Sequence, residues 1–479
     1  MRPLTNTATY LDGIFAPVTD ERDDLDLEVI GELPAGLDGM FVQNNPNPRQ
    51  PPPGAYHWFD GDGMIHGVML RDGRATYRNR AIATRGAAAE AAAGRALWGG
   101  ILDDFDPHAP GPHDKNTANT DLVWHGGRLL ALWWLGGEPY EIAVPSLATR
   151  GPIDFAGTLE GGVAAHPKVD PVTGELVFFD YDVYRAPHLT YGVASKDGRV
   201  THRTPIDIPG ARLFHDIAIT PNHTILLDLP MLWDPIKLAQ GKRRVRFDRT
   251  MPARYGIIPR HGDGGTVRWF EGPPCYIYHT VNAWEETTPA GHTRIVMTAC
   301  RIEDPIPRVP HAEEPHIPRL YFLRMRPCFY RYTFDLGTGQ MTEEQLDDRL
   351  TEFPRMNEAH LGRPTRYGYH QRLAAEPRLL FDGVIKYDGD RAAAAHDWGQ
   401  GRFGGETAYV PRPGSTAEDD GWLTAFVSDR ATGHSELHVL DAPTMQLAAR
   451  VKLPRRVPIG FHTHWVPGEG IPRAEETTR

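Results

Sequence analysis

Apolar residues along this chain come in short runs rather than in long helical stripes. Arg128 to Leu135 (RLLALWWL), Glu175 to Tyr181 (ELVFFDY), Thr224 to Leu229 (TILLDL) and Thr293 to Cys300 (TRIVMTAC) have the length of strands. So do Arg319 to Leu323 (RLYFL), Trp422 to Val427 (WLTAFV) and Leu437 to Leu440 (LHVL). Gly, Pro, Asn or Asp bounds these runs, which is how strands end and turns begin. Three turns share the phrase Asp-x-x-Thr-Gly, at Asp170–Gly174, Asp335–Gly339 and Asp429–Gly433. There the Asp side chain can cap the turn, and Gly can take positive φ before the next strand. Their uneven spacing predicts related hairpins separated by long insertions, not a clean array.

Helical patterning is sparse. Ala87 to Leu97 (AAAEAAAGRAL) consists mostly of good helix formers, and Pro230 to Gln240 is predicted to form a short helix on a loop. Hairpins at this density favour a β-propeller, whose radial closure leaves few exposed edges; a double sandwich is the alternative. A chain of 479 residues exceeds the usual single core. It carries no low-complexity linker, so one closed β domain over residues 1–479 is expected rather than two or three.

Composition removes several classes of function. Against 51 Lys and Arg stand 62 Asp and Glu, a net charge of −11, which argues against a nucleic-acid partner. No apolar stretch reaches the length of a membrane span. The opening segment MRPLTNTATYLDGIF lacks the apolar core of a signal peptide. Cys275, Cys300 and Cys328 have no CxxC spacing and read as thiols of a reducing compartment. A cytoplasmic protein is expected from these features.

Most of the 22 histidines need no special role. Four have unusual surroundings. His166 precedes a turn and strand in Ala164-Ala-His-Pro-Lys-Val-Asp170, and His215 lies in Leu213-Phe-His-Asp-Ile-Ala-Ile-Thr220. His279 sits in Cys275-Tyr-Ile-Tyr-His-Thr-Val-Asn-Ala-Trp284, and His462 in Ile459-Gly-Phe-His-Thr-His-Trp-Val-Pro467. A histidine among such apolar neighbours is costly to bury unless both ring nitrogens are satisfied. A divalent metal can satisfy one nitrogen, and a carboxylate or carbonyl the other. The four are too far apart for a local HExxH zinc motif and can meet only if successive sheets converge on one axis. Read from the residues alone, a shared metal site stands beside four separately satisfied core histidines.

Several segments together resemble the carotenoid cleavage oxygenase family. They are Phe41-Val-Gln-Asn-Asn-Pro-Asn-Pro48, His57-Trp-Phe-Asp-Gly-Asp-Gly-Met-Ile-His66, Ala118-Asn-Thr120, Ala165-His-Pro-Lys-Val-Asp170 and Phe214-His-Asp-Ile-Ala-Ile219. The series continues with His279-Thr-Val-Asn-Ala-Trp-Glu285, Glu406-Thr-Ala-Tyr-Val-Pro-Arg412, Glu418-Asp-Asp-Gly421 and Gly460-Phe-His462. The match runs in order from about residue 25 to the C-terminus. It implies an all-β, seven-bladed propeller with a loop and helix cap over an axial Fe(2+). It further implies His166, His215, His279 and His462 as ligands, and splitting of a conjugated carbon–carbon double bond by O2 into two carbonyl products. Glu352, in Glu352-Phe-Pro-Arg355, and Glu406 match two of the three glutamates that orient ligand histidines in the family. The third position reads Leu130-Ala-Leu-Trp-Trp134, so Trp134 stands where a glutamate is expected, and His215 is the histidine expected to lose its partner. Glu138 or Glu141 could reach back and replace it. Phe59 and Thr120 match positions close to the metal and are the catalytic-site candidates. His57 and His66 are expected to be structural, and His464, two residues from His462, is not carried over as a ligand.

For substrate, the resemblance leaves two classes. Aromatic-cleaving relatives carry a lysine immediately before the third glutamate, and Trp133 occupies that place here. A tryptophan offers a flat apolar wall to a polyene rather than a charge to a phenolate. The expectation is therefore a lipophilic carotenoid or apocarotenoid lying against Phe59, Trp133 and Trp134, with a stilbenoid or phenylpropenoid alkene as the alternative. Leu229 to Leu238 (LPMLWDPIKL) is a candidate apolar lip for peripheral membrane contact, or else packs on the propeller. Outside this class stand a non-catalytic ligand-binding propeller and a zinc or calcium hydrolase. The latter fits poorly, because calcium takes oxygen ligands. Oligomeric state is left open.

Overall fold

The structure, a computed structural model, describes residues 10–305, 325–376 and 378–473. Their strands form the seven blades of a β-propeller. Blade 1 joins Arg22–Leu25, Gly39–Pro46, Gly63–Arg71 and Arg74–Ala81 to the C-terminal strand Thr463–Pro467. That last strand pairs with Gly39–Pro46 and so closes the ring between the two ends of the chain. Blades 2 to 5 are four-stranded and begin at the inner strands Asp121–His125, Lys168–Val169, Ile217–Ile219 and Tyr276–Thr287. Blades 6 and 7 begin at Thr351–Arg355 and Ala408–Pro411, and the short strand Arg402–Gly404 links them into one ten-stranded sheet.

Both faces of a blade pack on its neighbours, which explains the continuous apolar runs. The middle strand Leu176–Asp180 is buried from Leu176 to Phe179, whereas the outer strand Arg391–Asp397 alternates exposed and half-buried residues. The three Asp-x-x-Thr-Gly turns have the expected chemistry. Asp170 Oδ1 accepts from the Val172 N–H at 2.8 Å, Asp335 Oδ1 from Thr338 at 2.9 Å and Asp429 Oδ1 from Ala431 at 2.9 Å. Gly174, Gly339 and Gly433 follow with φ of 72°, 74° and 69°. Arg319 to Leu323 lies outside the described residues.

Two helical expectations shift. The helix predicted over Ala87–Leu97 runs over Arg85–Ala93, because Thr84 caps its start and Gly94, at φ 66°, ends it. Pro230–Gln240 is only half helical. Asp234 caps the short helix Pro235–Ala239, and Pro235 disfavours helical backbone before it. The preceding Met231–Trp233 instead pairs as a strand with Val245–Phe247. Leu229, Met231, Trp233 and Leu238 are buried, so this segment packs largely on the propeller, with Ile236 left 69% exposed. None of the described helices is long and apolar enough to cross a membrane.

Candidate metal centre and active site

The seven inner strands converge on the axis, and at each start, or within its first residues, stands one polar side chain. Blades 2 to 7 present Thr120, His166, His215, His279, Glu352 and Glu406 in turn, and the closing strand of blade 1 presents His462. Local backbone irregularity aims several of them. His279 lies in a bulge, where the pairing with Thr293–Ile302 shifts register, and Glu352 adjoins another. His166, Phe353 and Ala118 have positive φ of 68°, 47° and 47°. Such conformations persist in non-glycine residues only where surroundings enforce them. At His166 the main-chain N–H donates to Asp121 Oδ2 at 3.0 Å.

The four histidines meet. One nitrogen from each lies within 4.8 Å of all the others. Ring centroids of His166 and His462 are 4.4 Å apart, those of His166 and His215 4.7 Å, and those of His279 and His462 4.8 Å. All four are at least nine-tenths buried. Burial, followed by the nearness of the other rings, holds His166, His215 and His279 well below the usual histidine range. They are therefore neutral imidazoles with a lone pair available.

Their outer nitrogens are held unequally. The Nδ1–H of His279 donates to Glu352 Oε2 at 2.5 Å, and that of His462 to Glu406 Oε1 at 3.1 Å. Glu406 also accepts from Arg355 at 3.0 Å and from the Thr463 N–H at 2.7 Å. Burial alone would raise the Glu406 carboxyl, but Arg355 and His462 hold it down to about 2. Burial pushes Glu352 up to about 8. His166 Nδ1 is 3.8 Å from Asp121 Oδ2, beyond hydrogen-bond reach. The His215 ring meets the Tyr278 ring edge to face at 4.8 Å, and no described carboxylate bonds it.

These residues fit a metal ion. The Nε2 atoms of His166 and His279 are buried without any hydrogen-bond partner, an arrangement a native interior avoids unless something else occupies the lone pair. Opposed ligands on a divalent ion with bonds of about 2.1 Å stand about 4.2 Å apart. The 4.8 Å spread therefore needs only a few tenths of an ångström of contraction.

An apolar cavity of about 400 Å³ reaches the cluster, lined by Phe59, Trp134, Tyr278, Phe353 and Phe461 among others, and by Thr120. Phe59, Thr120 and Trp134 belong to one network. The Trp134 N–H donates to Thr120 Oγ1 at 3.0 Å, Thr120 Oγ1 donates to Asn119 Oδ1 at 2.8 Å, and Asn119 Nδ2 donates to the Phe59 carbonyl at 2.8 Å. Phe59 and Trp134 also line a second, outer cavity of about 720 Å³, which Trp133 lines as well. A further cavity of about 1630 Å³, whose lining includes Lys168, Asp216, Glu358 and His464, reaches His166, His279 and His462. His57 Nδ1 accepts the Phe59 N–H at 3.1 Å, and His66 Nδ1 bonds the Tyr77 hydroxyl at 2.7 Å, so neither joins the cluster. Sequence reasoning passed over Asp121, Asn119, Tyr278 and Arg355. Arg355 lay within the quoted Glu352-Phe-Pro-Arg355 motif, and Asp121 follows Thr120 directly.

Residues 15–467 match the family model described as retinal pigment epithelial membrane protein. The chain is 38% identical to a carotenoid 9,10(9',10')-cleavage dioxygenase of Phaseolus vulgaris, covering 96% of this chain and 90% of that protein. It is 35% identical to a carotenoid cleavage oxygenase of Mycobacterium tuberculosis, over 96% and 97%. Among solved structures it resembles lignostilbene dioxygenase of Pseudomonas brassicacearum, with TM-score 0.85 and 28% identity over 97% and 99% of the two chains. Synechocystis apocarotenoid oxygenase gives TM-score 0.81 and 27% identity over 94% and 97%.

Proposed function

Because this chain belongs to the retinal pigment epithelial membrane protein family, which includes carotenoid cleavage dioxygenases, we propose that it splits a conjugated double bond of a carotenoid or apocarotenoid with O2. In this reading His166, His215, His279 and His462 hold Fe(2+). Iron bound there supplies the activation of dioxygen at positions that four protein ligands leave open. Glu352 and Glu406 fix the rings of His279 and His462 through Nδ1, so that each Nε2 points to the shared centre. Phe59, Phe353 and Phe461 exclude water and press a flat conjugated chain toward the histidines. Thr120 holds the Trp134 backbone through its hydroxyl.

The observation that carries the reading is the direct contact between the four-histidine cluster and an apolar aromatic cavity. No lysine or arginine lines that cavity among the described residues, which suits a polyene better than a phenolate. The second reading, a stilbenoid alkene, draws on the TM-score of 0.85 to lignostilbene dioxygenase. Peripheral membrane contact would use the exposed Ile236, beside Trp233 of the outer cavity. Metal analysis of purified protein, followed by product mass spectrometry on a panel of apocarotenals and hydroxystilbenes, tests the proposal. Dialdehyde or ketone fragments from polyenes support it; turnover of hydroxystilbenes alone replaces it with the second reading.

A further inference from the structure

Asp216, the residue after His215, is buried, and its carboxylate is filled by donors from three consecutive blades. From blade 3 the Lys168 ammonium donates to Oδ1 at 2.5 Å, and in blade 4 the Ile217 N–H donates to the same oxygen at 2.8 Å. From blade 5 Thr280 donates twice to Oδ2, through its main-chain N–H at 2.7 Å and its hydroxyl at 2.8 Å. A carboxylate has room for about four such bonds, so this one is saturated.

Every donor adjoins a ligand histidine. Lys168 lies two residues after His166, Ile217 two after His215, and Thr280 directly follows His279. These segments are poorly fixed by ladder pairing alone. The strand after His166 has only two residues, Lys168–Val169, and His166 itself has φ 68°. Thr280 lies in the bulge of blade 5, where register shifts on both sides of it, so a regular ladder does not aim His279. Among the described residues no carboxylate bonds the rings of His166 and His215, so their direction depends on the main chain that carries them. Asp121 repeats the device on a smaller scale. It follows Thr120, and its two oxygens accept the Leu122 N–H at 2.8 Å and the His166 N–H at 3.0 Å. Because Lys168 matches the charge of Asp216 locally, what the carboxylate gives the centre is geometry.

We propose that Asp216 is a positioning residue for the metal centre, setting the mutual placement of His166, His215 and His279 by locking their three segments to one carboxylate. The inference rests on the four-histidine iron reading above and deepens it. Alignment that the rings of His166 and His215 do not receive from a carboxylate of their own comes from this side chain, which bonds none of the rings.

Asp216→Asn tests this, because an amide of the same shape has one acceptor oxygen and cannot serve Thr280 as well as Lys168 and Ile217. The full chain loaded with Fe(2+) is compared with the variant by chelator competition and by Mössbauer spectroscopy, whose quadrupole splitting reports the symmetry of the ligand set. Asp216→Asn should bind Fe(2+) about 10-fold more weakly and show a shifted or second quadrupole doublet. Thr280→Val withdraws only the hydroxyl and should weaken binding by about 3-fold, and Thr280→Ser should restore the wild-type affinity and spectrum. Where Asp216→Asn does not fold, the two Thr280 variants decide. Unchanged affinity or an unchanged spectrum in the folded variant overturns the proposal even if Tm falls, since Asp216 then only stabilises the fold. Wild-type protein that binds no Fe(2+) removes the underlying iron reading and this inference with it.

Discussion

The His279 Nδ1–H donates to Glu352 Oε2 at 2.5 Å, deep between blades 5 and 6, and this is the shorter of the two hydrogen bonds that orient rings of the cluster. Glu352 Oε2 also accepts the Phe353 N–H at 2.5 Å, so the carboxylate is tied to its own strand. Glu406, by contrast, shares its charge between His462 and the Arg355 guanidinium. Removing the Glu352 carboxylate therefore leaves His279 with no substitute. Glu352→Ala should weaken iron binding by about 10–100-fold, in the range found for such partners of metal-bound histidines. A competitive chelator titration reads this directly, and unchanged affinity in a folded variant contradicts it.

Metal content itself is the second prediction. Purified protein should hold about one iron per chain, because the four ligand atoms define a single centre. His279→Ala should lose most of the iron and the turnover together, while its circular dichroism stays that of the wild type. Chelation should lower Tm, and added Fe(2+) should restore it, since a ligand that binds only the folded state stabilises it. Stoichiometric zinc, without iron-dependent oxygen uptake, is the result that defeats the oxygenase assignment of these four residues.

Asp60 supplies a pH-dependent prediction away from the metal. Burial raises its carboxyl to about 7, against the N–H groups of Ile101 and His57, which each donate at 2.9 Å and oppose the rise. The folded value lies above the unfolded one of 3.8. The folded state therefore binds the extra proton between these values, and stability falls as pH rises through that window. The Tm of the wild type relative to Asp60→Asn should be highest near pH 4 and decline toward pH 7 and above. A difference that is flat across this range shows that Asp60 ionises freely.

The histidine cluster was legible through the family resemblance of its surrounding segments; the residues alone, imidazoles among Phe, Tyr and Trp, left it beside four separately satisfied core histidines, and of His215 and His279 only the latter has its outer nitrogen bonded to a carboxylate. The propeller was legible in its density of strand-length runs and capped Asp-x-x-Thr-Gly turns. What could not be read is which carboxylate serves which ring. Glu352 and His279 are 73 positions apart in sequence, and only the convergence of adjacent blades brings them together. Asp121 near His166 likewise arises from packing of distant segments. The strand at Met231–Trp233 escaped because its partner, Val245–Phe247, follows an intervening helix.

Trp134 carries the last prediction. Sequence left open whether Glu138 or Glu141 reaches back to His215, and both are engaged elsewhere. Glu138 Oε1 accepts from the Tyr140 hydroxyl at 2.6 Å, and Glu141 pairs with Arg150 at 2.8 Å. Trp134 and His215 line the same inner cavity, yet the indole has only a donor to offer and its own N–H is unpaired. His215 thus keeps the edge of Tyr278 as its neighbour and lacks the anchoring that Glu352 and Glu406 give to His279 and His462. We expect it to be a weaker ligand than His279 and His462. Trp134→Glu should then tighten iron binding by about 10-fold or more, because a carboxylate accepting from Nδ1 both orients the ring and strengthens its lone pair. The change also removes an indole that is 5% exposed and packs 5.7 Å from the Phe59 ring, so Tm should fall even as iron affinity rises. Reading affinity by chelator competition and stability by melting separates the two effects. A folded Trp134→Glu with wild-type iron affinity shows that His215 needs no carboxylate partner.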